Sequence, residues 1–405
     1  MEYLFTERAH LMCPGMCFGI AVKVKAEFNQ IKVRRTLNTL AGAHPFLNAF
    51  LGFEEENNKY FYDITDGSSV EINFMEEELS GLEALEIIKE FERTTGYDWD
   101  LVAEGMLKVS VWKMGKYTCF LLVFHHLLAD GKGALNLAVE LANLYADNVM
   151  PADAPEKLIS SVNDLPKESR MQLINRMAID RGNRDWLLEK RSPLSYDDYH
   201  EFAENFVQQN KATHFLKRID KDELSRISGA CRDIGVTIND YLLANMFIDE
   251  GTDKITIASD IRDKLGFYVP GSLGNYSTAF SVVVKKKTMD PFVLSKEVHK
   301  AVQKILTKPS DLFLVLQCYA NLTPALLDAA FMAAKDGYKS RAASYIGKNV
   351  LGFGSADGYC ITNLGKIECS SIAAAFFIPP ASPAMKKTKG ILTVNGKMMI
   401  CTSER

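Results

Sequence analysis

The chain has no apolar run long enough to cross a bilayer. The stretch from Ile372 to Pro380 ends in Pro379-Pro380, well short of the roughly 20 apolar residues that a spanning helix needs. Charge of one sign is not in excess either. With 47 Lys and Arg against 51 Asp and Glu, the formal net charge is -4, which gives no electrostatic case for nucleic acid, whose binding domains are basic. The start, Met1-Glu2-Tyr3-Leu4-Phe5-Thr6-Glu7-Arg8, lacks the basic opening and apolar centre of a signal peptide, so a cytoplasmic location is expected. No G-x-x-x-x-G-K-S/T loop or G-x-G-x-x-G fingerprint occurs, which removes the common phosphate and dinucleotide cradles. In Pro270-Gly271-Ser272-Leu273-Gly274 the first glycine adjoins the serine, so the G-x-S-x-G elbow of serine hydrolases is missing as well. There is no internal repeat and no low-complexity tract. Cysteine is present at eight scattered positions, mostly inside apolar runs such as those of Cys119, Cys318 and Cys360. These read as small core residues with free thiols. The spacing His10-x-x-Cys13-x-x-x-Cys17 has no second ligand pair elsewhere, and no metal site is expected from it.

What is present is size, apolar content and one dense motif. The 405 residues, 47% hydrophobic and 24% charged, can bury two domain cores. The motif is His125-His126-Leu127-Leu128-Ala129-Asp130-Gly131, a base, a carboxylate and a permissive backbone within seven residues. The uncharged run Tyr117 to Phe124 before it suits a strand buried on both faces. After it, Ala134, Leu135, Leu137, Ala138, Leu141, Ala142, Leu144 and Tyr145 recur at helical spacing. The motif therefore sits where a strand ends and a helix begins. Alternation along the strand sends His125 and His126 to opposite sides, so only one can face a given cleft. An imidazole titrating near 6.5 can take a proton from a hydroxyl or ammonium near neutral pH. Asp130 either orients that histidine or pairs with a distant arginine. Gly131 permits a backbone angle or a close approach that a side chain would forbid.

The pattern HHxxxDG is similar to the signature of the chloramphenicol acetyltransferase-like superfamily. That group includes nonribosomal peptide synthetase condensation domains, wax ester synthases, alcohol acetyltransferases and plant BAHD acyltransferases. Further resemblances follow in order along the chain. Leu40 to Phe50, with His44-Pro45 after a helix, resembles the family's helix-to-strand passage, although condensation domains often carry arginine where Asn48 stands. Gly235-Val236-Thr237-Ile238-Asn239-Asp240-Tyr241-Leu242-Leu243-Ala244 resembles the G-x-T-x-N-D-x-x-L-A start of a helix. Here Thr237 is a cap and Asp240 completes a variant capping box. Ser259-Asp260-Ile261-Arg262, Leu273-Gly274-Asn275-Tyr276 and Ile361-Thr362-Asn363-Leu364-Gly365 resemble later family segments. The D-F-G-W-G box of plant BAHD enzymes is absent, which sets the chain nearer to free-standing condensation-like, alcohol acetyltransferase and wax ester synthase members.

The resemblance implies an α/β fold of two similar subdomains, each a mixed sheet with helices, arranged as a V with a tunnel between them. The expected boundaries are residues 1-180 for the N-terminal subdomain carrying HHxxxDG and 200-405 for the C-terminal one. A connecting segment, 150-200, is rich in Pro, Asp, Lys and Arg, and Met171, Leu173, Ile174, Met177 and Ile179 are positioned to pack. Local patterns predict strands over 46–53, 60–64, 213–219, 255–258 and 278–284, and helices over 31–40 and 221–231. The resemblance also implies the chemistry. An acyl group moves from a thioester, acyl-CoA or acyl-carrier protein, to an alcohol or amine by direct attack. His126 is the general base, His125 its buried neighbour, and Asp130 pairs with Arg262. Gly131 N–H, Asn275 and Thr362 are candidate oxyanion or substrate contacts. No permanently bound cofactor, no nucleic acid and no membrane segment are expected, and the chain is expected to be a monomer. The alternative is a non-catalytic condensation-like module that binds a carrier protein or an acyl chain. The basic runs at Lys32, Arg34 and Arg35 and at Lys285-Lys286-Lys287 read as solvated faces, or as contacts for an acidic carrier or the CoA phosphates. The segments Leu312 to Leu316 and Leu326 to Met332 either line an acyl channel or fill the core.

Overall fold

The computed structural model describes residues 2–67, 69–152, 154–285 and 288–405. Lys286 and Lys287 of the second basic run lie outside the described residues.

The apolar run before the motif forms the strand Tyr117–His125, buried along almost its whole length. It lies at the centre of a five-stranded sheet, in the order Ile372–Ile378, Cys17–Val24, Tyr117–His125, Leu107–Met114 and Glu71–Phe74. Only the last pair is parallel. A second, six-stranded sheet runs Ser277–Val283, Lys254–Asp260, Gly358–Ile367, Met385–Val394, Lys397–Glu404 and Thr213–Ile219. Gly358–Ile367 is parallel to both its neighbours, so this sheet is mixed as well. Two cores result, and the six-stranded sheet faces both, with Leu392, Val394 and Cys401 in the first and Ile391, Met398 and Ile400 in the second. Ile20, Val22, Phe120 and Leu122 are buried in the first, and Leu243, Phe247, Ile255 and Val298 in the second.

The sheets do not divide the chain cleanly into halves. Ile372–Ile378 comes from the C-terminal half, yet it pairs antiparallel with Cys17–Val24, matching Phe376 with Ala21 and Ile378 with Gly19. Two local expectations also change. Pro45–Asn48 is a tight 3-10 turn, and the strand begins only at Ala49–Glu54. The fixed φ of Pro45 suits the first position of such a turn. In the connecting segment a helix does form over Leu173–Glu189, but Leu173, Ile174 and Met177 are 75%, 74% and 61% exposed. The packed face is instead set by Ile179, Gly182 and Trp186, where a Cβ on Gly182 would stand 2.8 Å from Ile346. Among the described residues, no single helix is long and apolar enough to cross a membrane.

Candidate active site

The strand ends at His125, and the chain turns through Leu127 and Leu128 into the helix Gly131–Asp147. Asp130 caps that helix, with one carboxylate oxygen accepting from Gly133 N–H at 2.8 Å. The same oxygen accepts from Arg262 at 2.8 Å, while the other accepts from Tyr276 N–H at 2.7 Å. Arg262 belongs to the far sheet's 3-10 turn Arg262–Lys264 and also donates to Asp260 at 3.0 Å. Burial pushes its pKa down, but Asp130 and Asp260 outweigh this and raise it. Both members of the Asp130–Arg262 pair are buried. The carboxylate is thus fully engaged in tying the motif helix to the second sheet, and it makes no hydrogen bond to either histidine.

The two histidines separate by side. His125 is buried, and its Nδ1 accepts from Leu127 N–H at 3.3 Å. Burial first, and then the neighbouring His126, depress its pKa to about 3, so it stays neutral. His126 is half-buried and opens into a cavity of about 390 Å³ on the other side, bounded by residues of both sheets. Its wall includes Phe18, Gly131, Thr362 and Leu364. Of the two apolar segments considered for an acyl channel, the first supplies Val315 and Leu316 to this wall, whereas Leu326 to Phe331 fill the core.

Asn275 fixes the state of His126. Its Nδ2 donates to the carbonyls of His126 and Leu127, at 2.8 and 3.0 Å. That assigns the amide, so its Oδ1, 3.0 Å from His126 Nδ1, must accept a proton from the imidazole. A neutral His126 therefore carries its proton on Nδ1 and leaves the Nε2 lone pair available. Burial lowers the pKa of His126, opposed by its own backbone, Asp130 and Asn275. The expectation that Asn275 donates to an oxyanion is corrected, because both of its N–H bonds are spent on carbonyls. Gly131 fares differently. It is the first residue of the helix, where N–H has no intrahelical acceptor. What it supplies is close approach, since an added Cβ would meet Leu364 at 2.8 Å. Thr362 lines the cavity from the strand Gly358–Ile367.

One further residue belongs to the site, although its sequence spacing points only to an incomplete metal set. His10 stacks on His126, with ring centroids 4.3 Å apart and planes at 27°. Burial, then the two motif histidines, push its pKa well down. Its short helix Arg8–Leu11 is anchored by Arg8, which forms a buried two-pronged ion pair with Asp328 at 2.8 and 2.6 Å. No local pattern around His10 announces this, because the anchor lies 320 residues away. Among the described residues no cluster of His, Cys, Asp or Glu could hold a metal ion. The nearby thiols are poor nucleophiles. Burial pushes Cys13 up to about 12 and Cys17 higher still.

The condensation-domain family model matches residues 17–249, more than half of the chain. Members of this family form amide or ester bonds between substrates held on carrier proteins. No curated protein sequence matches the chain. Among solved structures it is similar to the first condensation domain of the calcium-dependent antibiotic synthetase in complex with a substrate analogue, with 11% identity and a TM-score of 0.63 over 100% of this chain and 91% of that one. It is also similar to the epimerization domain from the third module of tyrocidine synthetase B, at 13% identity and TM-score 0.58 over 99% and 87% of the two chains. Polyketide synthase associated protein 5 from Mycobacterium tuberculosis gives 14% identity and TM-score 0.57 over 100% and 92%. These likenesses establish the mixed α/β, two-subdomain fold. The chain belongs to the condensation-domain family, within the chloramphenicol acetyltransferase-like superfamily.

Proposed function

We propose that the protein is an acyltransferase that moves an acyl group from a thioester, on CoA or on a carrier protein's phosphopantetheine, directly to an alcohol or amine. The observation that carries this reading is the Asn275–His126 contact. It leaves an imidazole whose Nδ1 proton is committed and whose Nε2 is free to act as a base in a cavity between the two sheets. In the reaction, the acceptor's hydroxyl or ammonium-derived amine gives its proton to Nε2 as its heteroatom bonds to the thioester carbonyl carbon. The tetrahedral intermediate then expels the thiolate, which takes the proton back from His126. Negative charge on the carbonyl oxygen is met by Gly131 N–H and the Thr362 hydroxyl. Asp130 keeps the loop in place through Arg262, and holding both substrates in one cavity supplies much of the rate. No acyl-enzyme is required, in keeping with the buried, high-pKa thiols of Cys13 and Cys17.

The test is a panel of acyl-CoAs and acyl-carrier proteins with alcohol and amine acceptors, followed by release of free thiol. Turnover should appear with at least one pair and fall by about 10²- to 10⁴-fold in His126→Ala. If no donor gives thiol release above the His126→Ala control, the reading is wrong and the chain is a binding module.

A further inference from the structure

On the side of the motif away from His126 lies a second cavity, of about 490 Å³, whose wall includes Gly15, Met16, Trp99, His125, His214 and Arg405. Met16 is common to both cavities. Ala381 lines one, and its neighbours Pro380 and Ser382 line the other, so the two spaces back onto the same stretch of chain. The charges in this second space do not balance. Glu92 is bonded to His214 at 2.9 Å, Asp98 to His200 at 2.8 Å, and Arg93 to Glu90 at 2.7 Å. Arg405 has no such partner among the described residues. Its Nε and Nη1 are buried without a hydrogen bond, its guanidinium lies over Phe206 at 5.3 Å, and a Cβ on Gly15 would strike Nη2. Burial pulls its pKa down to about 10, only partly offset by the nearby Cys13 thiol, and no carboxylate is among the charges acting on it. Lys89 and Lys211, also on its wall, are exposed and have no ion pair among the described residues.

A buried guanidinium without a counter-ion is costly to keep, and its planar fork matches an oxyanion at two points. We propose that this cavity is an oxyanion-binding site in which Arg405 receives the carboxylate of a small molecule. A phosphate offers the same chemistry at two of its oxygens, but the flat fork of the guanidinium matches both coplanar oxygens of a carboxylate, and the experiment tells the two apart. This anion site does not depend on the acyl-transfer reading above.

The experiment measures binding of N-acetylglycine and of inorganic phosphate to the full chain by calorimetry, alongside thermal unfolding without added anion. The parent should bind the carboxylate, and Arg405→Met should weaken that binding by about tenfold or more. Arg405→Lys, which keeps the charge and loses the fork, should fall between them, and His126→Ala should bind as the parent does. Without anion, Arg405→Met should melt no lower than the parent, because it removes an unpaired buried charge. Equal binding by the parent and both Arg405 variants, or binding of neither anion by the parent, overturns the site. Phosphate binding that depends on Arg405 while N-acetylglycine does not bind overturns the carboxylate assignment. Since no turnover is needed, a failure here is distinct from a failure of the acyl-transfer reading.

Discussion

At the scale of single residues, the chemistry turns on which nitrogen of His126 carries the proton. Asn275 holds that proton on Nδ1, so the base is ready only while the imidazole is neutral. Its pKa is lowered by burial; kcat/KM should therefore hold steady below pH 6.5 and drop only as pH falls through a lower apparent pKa. An acid limb centred above about 6.5 in a pH–rate profile would contradict this. Asn275→Ala should reduce kcat by about 10- to 100-fold with a smaller change in KM, because the ring loses its orientation while the cavity wall stays. A change confined to KM would instead make Asn275 a substrate contact. The separation of His125 from His126 could be read from strand alternation alone. The partner that fixes the tautomer could not, because it sits 149 residues away and hydrogen-bonding of this kind leaves no periodic trace in sequence.

At the scale of elements, two buried contacts brace the parts that hold the histidines. His44, at the end of the helix Gln30–Ala43, bonds Glu140 on the motif helix at 2.7 Å and Glu156 in the connecting segment at 3.1 Å. Burial opposes its charge, but the two carboxylates win and raise its pKa to about 9. In the unfolded chain it loses its proton near 6.5, so its contribution to stability is whole below that pH and disappears as pH rises through about 9. His44→Gln should accordingly cost more stability at about pH 6 than above about pH 9, measured by urea unfolding at both. Equal losses would remove the clamp from the account. The Arg8–Asp328 pair braces the helix bearing His10. Asp328→Ala leaves a buried guanidinium unpaired and should cost about 3–5 kcal/mol in the same assay, and a loss under about 1 kcal/mol would be incompatible with this role. The His44-Pro45 step was visible in the sequence, but its partners were not. Asn48 makes one bond to the Ala41 carbonyl and leaves its own Oδ1 buried and, among the described residues, unpaired.

At the scale of the whole molecule, the order of strands and helices was legible because each element carries its own period, two for Thr213–Ile219 and near 3.6 for Gly131–Asp147. Which sheet receives a strand is a different matter, since Ile372–Ile378 is a plain apolar run whose neighbour is set by how the chain crosses between the sheets. That crossing has a consequence for how the protein is made. During synthesis, Cys17–Val24 emerges early and pairs on one side with Tyr117–His125. Its other side, the edge of Phe18, Gly19, Ile20, Ala21 and Val22, waits for a partner some 350 residues later in the sequence. At typical rates of about 5–20 residues per second, that edge stays open for tens of seconds. It is long, apolar and free of charge through those residues, the kind of edge that pairs with other chains. Until Ile372–Ile378 arrives, the half that carries the histidines is an open template, and its yield in a crowded cell depends on what shields that edge.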